Sequence, residues 1–339
     1  MELYGYLFVY FLSLIFIFQS NILKDKSFFI FWFIVMITLS IIIRSSIGEV
    51  LSYDIDGYVS VMKRNVDLLL IPSFFREFIF WFGIKYLYVL IGNEIIVFII
   101  IDSIIFLLIF KSFSLIKNIF FSKVQQYEIN YIFFSFMLFF PFIEGFNTIY
   151  RQLFATSLFM YVIGCIGKNK VYKASFLFII TFFIHNSVAL FFPVLFSFYK
   201  NGKYIFLSYL TLLINAMLLV YIRDLFGDLF YRYDTSLGDM ISYLYLISLI
   251  FIFILFLYFE YILKFKNKLI LNIIILSIFI YLISVFLFDS LISQRIILFI
   301  YSILFPMIAF YFEYNFRYKK IVRLIFLHLS LVPLFILFN

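Results

Sequence analysis

Long apolar runs decide what this chain can fold into. Segments 28–43 and 247–259 are apolar almost throughout, and 66% of all residues are hydrophobic while 13% are charged. A soluble domain has about 45–50% apolar and about 25% charged residues. A water-soluble core cannot enclose such an excess, because a domain of ordinary size exposes too much surface. Most side chains must therefore contact lipid.

Only helices and closed barrels span membranes, because every backbone polar group in hydrocarbon needs a partner within the protein. Barrel strands alternate apolar and polar residues, whereas the runs here are continuous. We therefore predict an all-α polytopic membrane protein, with a single transmembrane domain over residues 1–339. Twelve apolar segments are expected to form its helices: 3–20, 27–43, 77–91, 94–116, 129–146, 147–167, 174–199, 203–222, 240–262, 269–288, 291–313 and 321–338.

Six short basic loops orient these segments, because lysine and arginine accumulate on the cytoplasmic side. The loops share one side only if segment 77–91 dips into the membrane or lies at the interface instead of spanning, and segment 174–199 enters and leaves on the same side, turning near His185. The prediction is then about ten spanning helices and two partial segments, with both termini and the loops 44–76 and 223–239 outside. The basic loops contain Lys24/Lys26, Lys117/Lys123, Lys168/Lys170/Lys173, Lys200/Lys203, Lys264/Lys266/Lys268 and Arg317/Lys319/Lys320.

Composition excludes several classes of site. The chain has one cysteine, Cys165, and two histidines, His185 and His328, so the sequence predicts no metal centre. The net charge of +8 comes from lysines and arginines scattered over short loops, which favours membrane orientation over a nucleic-acid partner. Motifs for ATP binding, serine hydrolase chemistry and zinc peptidase chemistry are missing from the sequence. No cofactor is expected.

Four basic residues lie within apolar segments or at their ends, where charge is costly and a functional role is the first hypothesis. In the predicted topology Arg44, Arg151 and Arg295 all fall at the outer face. His185, at the turn of its partial segment, reaches toward the same face. The charge rule was applied to loops alone, so this convergence is an independent indication of a site.

The junction between the fifth and sixth segments is the most informative stretch. Pro141 and Gly145 are expected to break one helix, and Asn147 is a favourable N-cap for the next. That helix then begins with unpaired N–H groups beside Arg151 and Gln152, an arrangement that binds anions. Since arginine suits bidentate phosphate binding, we expect a lipid diphosphate there.

Each of these residues also has a structural interpretation. Arg151 could pair with Glu144 or reach lipid headgroups, and Arg295 could reach the interface from a helix end. His185 could be a neutral buried histidine bonded to the backbone. The functional interpretation of His185 is hydrogen bonding to a substrate or proton transfer near neutral pH.

Acidic residues near the same face are candidates for a base. Asp54 and Asp56 lie in the first outer loop, where Asp54 and Tyr58 are at helical spacing and Asp56 fits a solvated turn. Glu77 opens the short third segment, and a carboxylate there favours a helix start.

These motifs resemble the EpsG-like family of bacterial polysaccharide polymerases, which is related in role to the Wzy O-antigen polymerases. The Arg-Gln and His-x-Ser elements are the most specific. Asp54 lies further from Gly48 than in the family pattern, and Glu77 lacks the proline that often follows it. The matching motifs are Arg44 with Gly48 and Asp54–Tyr58, Glu77-Phe-Ile-Phe, Asn147-x-x-x-Arg151-Gln152-x-x-Ala155, Phe183-x-His185-x-Ser187 and Arg295-Ile296.

The resemblance implies a metal-independent glycosyltransferase at the outer face of the bacterial cytoplasmic (inner) membrane. It would transfer a growing glycan from undecaprenyl diphosphate to a sugar hydroxyl of a second lipid-linked repeat unit, in O-antigen, capsule or exopolysaccharide synthesis. Other polysaccharide-assembly membrane proteins, including a chain-length regulator, are the implied partners. The implied diphosphate-binding residues are Arg151, Arg295, Arg44, Gln152 and Asn147, and the implied catalytic residues are His185, Asp54 and Glu77.

Three other functions stay open from the sequence. A flippase of lipid-linked oligosaccharide would also surround a diphosphate with arginines, but it is expected to have two pseudo-repeated halves. A membrane acyltransferase that modifies surface glycans would carry an Arg/His signature in its first helix, and segment 3–20 has neither residue. A glycosyltransferase with a monosaccharide–lipid donor would show an acidic pair in its first outer loop.

Overall fold

The computed structural model describes ten stretches of the chain. Its described residues form fifteen α-helices, two short 3-10 segments and no strand, so the all-α class is confirmed. Every predicted apolar segment corresponds to one helix or to a pair of shorter ones. The described residues are 2–20, 22–45, 53–64, 77–122, 124–197, 202–225, 236–263, 268–288, 290–316 and 318–337.

The helices are numbered here in chain order. The 3-10 segments are Gln126–Ile129 and Asn186–Phe191. The α-helices are α1 (Glu2–Phe18), α2 (Asp25–Arg44), α3 (Tyr53–Lys63), α4 (Phe78–Ile91), α5 (Glu94–Phe120), α6 (Asn130–Met137), α7 (Phe140–Asn147), α8 (Tyr150–Gly167), α9 (Val171–Ile184), α10 (Phe192–Phe196), α11 (Gly202–Leu225), α12 (Ser236–Leu263), α13 (Lys268–Leu287), α14 (Ser290–Asn315) and α15 (Lys319–Leu337).

Several helices are long and apolar enough to cross a membrane, so the chain is a multi-pass membrane protein. Among the described residues these are α2, α5, α12, α13 and α14, and the bent pair α6–α7 makes a sixth span if it is counted as one. Segment 77–91, predicted to be partial, forms the short helix α4 of 14 residues. The other partial segment, 174–199, forms α9, also of 14 residues, followed by the 3-10 segment Asn186–Phe191 and the short helix α10. Further apolar helices, including α1, are also short by this measure, so within the described residues length and composition alone mark fewer spans than the ten predicted.

The chain folds into two compact units. Unit 1 contains Met1–Asn186 and Phe305–Asn339, and unit 2 contains Ser187–Leu304. The single transmembrane domain over residues 1–339 stays a prediction. In unit 2 a polar chain links three elements: Tyr209 donates to Asn272 at 2.6 Å, and Asn272 donates to Ser197 at 2.8 Å.

In unit 1, α5 and α8 pack along each other more extensively than any other pair. Glycine makes this close approach possible, since a Cβ atom added at Gly164 would lie 2.8 Å from Cβ of Leu115. Gly167 is in a similar position one turn later, against Ile119. Small residues let membrane helices approach closely, so that van der Waals contacts hold them together. This pair forms the framework of unit 1.

Helix α3 lies within the predicted outer loop 44–76, so that loop has regular structure. Its buried side chains Ile55, Tyr58 and Met62 are spaced three and four residues apart, which gives one apolar face. The Lys85 side chain on α4 donates to the backbone oxygen of Met62 at 2.9 Å, where the last carbonyls of α3 need donors. Helix α3 is thereby held against α4. The loop 223–239 lies largely outside the described residues.

Two helix interruptions position the residues discussed below. Helix α9 ends at Ile184, and His185 is extended, with φ −155° and ψ 114°, so the predicted break near His185 is confirmed. The predicted break at Pro141 and Gly145 is wrong in position. Helix α6 ends before Leu138, and α7 starts at Phe140, bent by 51°. Pro141 lies in the first turn of α7, where the missing N–H of proline costs no hydrogen bond within the helix. Gly145 lies inside that helix.

A buried ion pair joins α14 and α15 within unit 1. Arg323 donates from Nε to Glu313 at 3.0 Å and from a second nitrogen to the other carboxylate oxygen. Glu313 is fully buried, and Lys319 also approaches it, at 3.6 Å. Removing one partner of such a pair leaves an uncompensated buried charge, which costs about 3–5 kcal/mol.

We predict that Gly164→Ala lowers the free energy of unfolding by about 1–3 kcal/mol, because the added methyl group overpacks the contact with Leu115. The measurement is denaturant unfolding of the purified protein in detergent. The same change at Gly83 on α4 is the control, since no heavy atom lies within 4 Å of its added Cβ. Gly83→Ala is expected to raise stability by up to about 1 kcal/mol. Equal effects at the two positions would contradict the close-packing account.

Candidate functional site

Three residues that are far apart in the sequence meet in unit 1. Glu77 immediately precedes α4, Arg151 lies in the first turn of α8, and His185 follows the last residue of α9. Each is at a helix end, where the chain changes direction and side chains from different helices can reach one another. The contacts span 74 residues between Glu77 and Arg151, and 108 residues between Glu77 and His185.

The Glu77 carboxylate is the centre of this cluster. One of its oxygens accepts a hydrogen bond from a terminal nitrogen of Arg151, and the other lies 2.5 Å from Nδ1 of His185. The backbone N–H of Asn186 also donates to Glu77. The carboxylate side chain is 10% exposed, compared with 25% for Arg151 and 17% for His185. The ion pair is therefore buried on the carboxylate side and partly open on the side of the cations.

Local backbone geometry explains why Glu77 is available for these contacts. It occupies the N-cap position of α4 with φ −131° and ψ 45°, and its backbone oxygen accepts the first hydrogen bonds of the helix. Its side chain makes no capping hydrogen bond. Glu77 thus lies at the start of this helix, as predicted, but its carboxylate contacts Arg151 and His185 and does not cap the helix.

Aromatic side chains from α3 and α4 frame the Arg151 guanidinium. The guanidinium carbon lies 4.8 Å from the ring centre of Trp81 and 5.7 Å from that of Tyr58. Nε of Arg151 donates to the Tyr58 hydroxyl at 3.2 Å. Cation–π contacts of this kind contribute about 0.5–2 kcal/mol and fix the plane of the guanidinium. Tyr58 thus enters the site through α3, within the predicted outer loop.

Charge compensation sets the protonation of Glu77. Burial raises the pKa of its carboxyl, but the hydrogen bond with His185 and the charge of Arg151 outweigh burial and hold that pKa below its usual value. Glu77 is therefore a carboxylate at neutral pH and a weak base. This favours a role as the anion that holds Arg151 and His185, over its predicted role as an alternative catalytic base.

Arg44 is enclosed by protein and paired with Asp102 on α5. Its Nε donates to Asp102 at 3.0 Å, and a terminal nitrogen donates to Asp102 at 3.2 Å and to the backbone oxygen of Phe146 at 3.0 Å. The guanidinium carbon also lies over the rings of Phe146 and Tyr150, at 4.1 and 4.8 Å. Only 2% of the Arg44 side chain is exposed. Arg44 therefore takes no part in the ligand site proposed below, although it lies close to Tyr150, the neighbour of Arg151.

The start of α8 differs from the prediction. Asn147 is the last residue of α7, so the prediction that it caps α8 is wrong; the N-cap position belongs to Ile149, which makes no side-chain capping bond. The Asn147 side chain donates to the Tyr6 hydroxyl at 3.5 Å. Gln152 is buried in the first turn of α8. Glu144 accepts a hydrogen bond from Thr148 at 2.7 Å, while Arg151 pairs with Glu77.

The two other predicted site residues are placed less completely. Asp54 lies in the first turn of α3, but its side chain is outside the described residues. Arg295 lies near the start of α14 in unit 2 and is half-buried. Its predicted role as a diphosphate ligand stays a prediction. The side chains of the described residues include no group of three or more His, Cys, Asp and Glu that could hold a metal ion.

Two important residues were missed at the sequence level. Asp102 is a lone carboxylate inside a long apolar run, which is itself the signal for a functional or paired residue. Tyr150 gave no such signal, because tyrosine is common in this chain. It becomes recognisable only when its hydroxyl is seen to donate to Asp102 at 2.6 Å.

We predict that Glu77 and Arg151 are energetically coupled. Glu77→Gln and Arg151→Gln should each destabilise the protein, and the double variant should be more stable than the sum of the two effects by about 0.5–3 kcal/mol. The measurement is a double-mutant cycle of unfolding free energies. As the control, Glu77→Gln combined with Arg323→Gln should be additive, because Arg323 pairs with Glu313. An additive Glu77/Arg151 cycle would show that the ion pair does not form.

No protein-family model, curated protein or solved structure matches this chain. The resemblance to EpsG-like polymerases therefore stays a prediction, and it rests on the sequence motifs alone. The structure adds one observation to those motifs. Arg151 and His185, which belong to two separate motifs, both contact Glu77 of a third motif in a multi-pass membrane protein.

Proposed function

We propose that this chain is a polysaccharide polymerase that transfers a glycan from undecaprenyl diphosphate to a sugar hydroxyl of a second lipid-linked repeat unit. The observation that carries the proposal is the cluster of Glu77, Arg151 and His185. It combines a cation for a phosphate leaving group with a histidine held by a carboxylate. Both substrates carry lipid tails, so the membrane helices around the cluster suit their delivery.

Arg151 is the proposed diphosphate ligand. Breaking the bond between the anomeric carbon and the diphosphate leaves the bonding electron pair on a phosphate oxygen, and a cation aimed at that oxygen stabilises the developing charge. Arg151 is partly exposed, and Trp81 and Tyr58 fix its orientation. Glu77 compensates its charge while the site is empty, which lowers the cost of holding an arginine among membrane helices.

His185 is the proposed general base. Its Nδ1 faces the Glu77 carboxylate, so the neutral ring carries the proton on Nδ1 and a lone pair on Nε2. Nε2 then accepts the proton of the acceptor hydroxyl as the oxygen attacks the anomeric carbon. Glu77 orients the ring and stabilises the imidazolium ion that forms, as the carboxylate does in a His–Asp pair.

The proposed setting is the outer face of the bacterial cytoplasmic membrane. The lysine excess in the short loops supports this orientation, because such loops stay in the cytoplasm. The energy for transfer is stored in the glycosyl diphosphate bond, so the proposed reaction needs no nucleotide, and Arg151 supplies the positive charge in place of a metal ion. The proposed partners are other membrane proteins of polysaccharide assembly.

We predict that deleting the gene leaves single repeat units on the lipid carrier and abolishes long glycan chains. The measurement is gel analysis of surface glycans, together with mass spectrometry of lipid-linked intermediates. Loss of a flippase would instead hold lipid-linked units at the cytoplasmic face, and loss of an acyltransferase would leave chain length unchanged. A normal ladder of chain lengths in the deletion strain contradicts the polymerase proposal.

We predict that Arg151→Lys reduces polymerisation by about 10- to 100-fold, the equivalent of one charge-assisted hydrogen bond of about 1.5–3 kcal/mol. Lysine keeps the charge but loses the planar fork that binds a phosphate through two nitrogens. The measurement is chain length and rate in a deletion strain complemented at equal expression. Arg323→Lys, at the buried pair with Glu313, controls for loss of folding. An unchanged chain length in the Arg151→Lys variant would contradict diphosphate binding by Arg151 and indicate a structural role.

A further inference from the structure

Asp102 is the centre of a polar cluster inside the long membrane helix α5. Besides the two hydrogen bonds from Arg44, it accepts one from Ser40 at 2.7 Å and one from the Tyr150 hydroxyl at 2.6 Å. The donors belong to α2 and α8, so one carboxylate links three helices. Asp102 itself has no exposed surface.

The cluster is connected to the proposed diphosphate ligand. Tyr150 directly precedes Arg151 and is the first residue of α8. Its ring centre lies 6.4 Å from that of Tyr58, whose hydroxyl accepts the hydrogen bond from Nε of Arg151 at 3.2 Å. The path from Asp102 to Arg151 is therefore a chain of direct contacts through two tyrosines.

The cluster adds directed hydrogen bonds to the packing of α5 against α8. Gly164 and Gly167 already bring α5 and α8 together further along the helices. At the other end, the Ile149 side chain makes no capping bond to the start of α8. The hydrogen bond from Tyr150 to Asp102 joins this first turn, which carries Arg151, to α5.

We propose that Asp102 is a positioning residue for Arg151. It holds Tyr150, and through Tyr150 and Tyr58 it sets the direction in which the Arg151 guanidinium points. Arg44 holds the Asp102 side chain in place through two hydrogen bonds. The inference rests on the proposed function in one respect, namely that Arg151 binds a diphosphate.

Matched variants separate positioning from general stability. Asp102→Asn keeps the size of the side chain but removes its charge, and Tyr150→Phe removes only the hydroxyl donor. Glu313→Gln is the control, because it breaks another buried carboxylate–arginine pair of unit 1, the pair with Arg323. A structural role predicts that Asp102→Asn and Glu313→Gln affect the ligand site equally once the proteins are equally folded.

Trp81 provides the binding signal. The chain has two tryptophans, and Trp32→Phe leaves Trp81 alone, 4.8 Å from the Arg151 guanidinium carbon. Nε1 of Trp32 has no hydrogen-bond partner among the described residues, so phenylalanine removes no hydrogen bond there. The full-length Trp32→Phe protein in lipid nanodiscs is titrated with inorganic pyrophosphate while Trp81 emission is recorded.

We expect saturable binding that Arg151→Gln abolishes. Asp102→Asn and Tyr150→Phe should raise the Kd for pyrophosphate by roughly three- to thirtyfold, the range for residues that act through a contact network. Glu313→Gln should leave it unchanged. The proposal is overturned if Asp102→Asn and Tyr150→Phe bind pyrophosphate as tightly as the parent, or if Glu313→Gln weakens binding to the same extent.

A second measurement keeps the inference distinct from the proposed function. If the parent protein does not bind pyrophosphate, the diphosphate site is contradicted, and a double-mutant cycle of unfolding free energies between Tyr150→Phe and Arg151→Gln decides the positioning claim. Coupled effects support it and additive effects overturn it. Glu313→Gln combined with Arg151→Gln should be additive in the same assay.

Discussion

A charged side chain among membrane helices has to find its counter-charge within the protein, because lipid offers none and the cost of an unpaired charge is large. Among the described residues of unit 1 this constraint produces three carboxylate–arginine pairs that join helices. Two of the carboxylates are fully buried and sealed from any ligand. The pairs are Asp102 with Arg44, Glu313 with Arg323 and Glu77 with Arg151.

The pair of Glu77 and Arg151 differs from the other two in ways that matter for function. It is partly exposed on the cation side, and a histidine shares its carboxylate. Because Arg151 is already partly exposed, a phosphate can compete with Glu77 for it without a prior rearrangement that exposes the ion pair. In the proposed reaction the same carboxylate that holds the cation also orients the base, so one interaction prepares both the leaving group and the nucleophile.

The fold class followed from the sequence because continuous apolar runs of this length leave few alternatives to helices. The break at His185 was also predictable, since the loop charges required one segment to turn back. The capping role of Asn147 failed for a local reason: Pro141 starts α7 instead of ending a helix, and α7 then continues through Asn147. For helix α3 the sequence indicated only that Asp54 and Tyr58 are at helical spacing, within a segment that was otherwise predicted to be a loop.

The pairing within the site was beyond prediction. Arg151 and His185 were expected near each other from topology, but the contact of each with Glu77 depends on how three helix ends pack, and no periodicity in the sequence encodes that arrangement. Asp102 was predictable in principle as the lone carboxylate in an apolar run, whereas its hydrogen bond from Tyr150 was not.

The central claim is that Glu77 holds His185 through Nδ1, and ¹⁵N NMR of histidine-labelled protein tests it directly. The chain has two histidines, so His328→Asn leaves His185 as the single signal. The account predicts that the neutral ring carries its proton on Nδ1 and its lone pair on Nε2, and that Glu77→Gln changes both resonances. A neutral ring with its proton on Nε2, or a spectrum that Glu77→Gln leaves unchanged, would contradict the account.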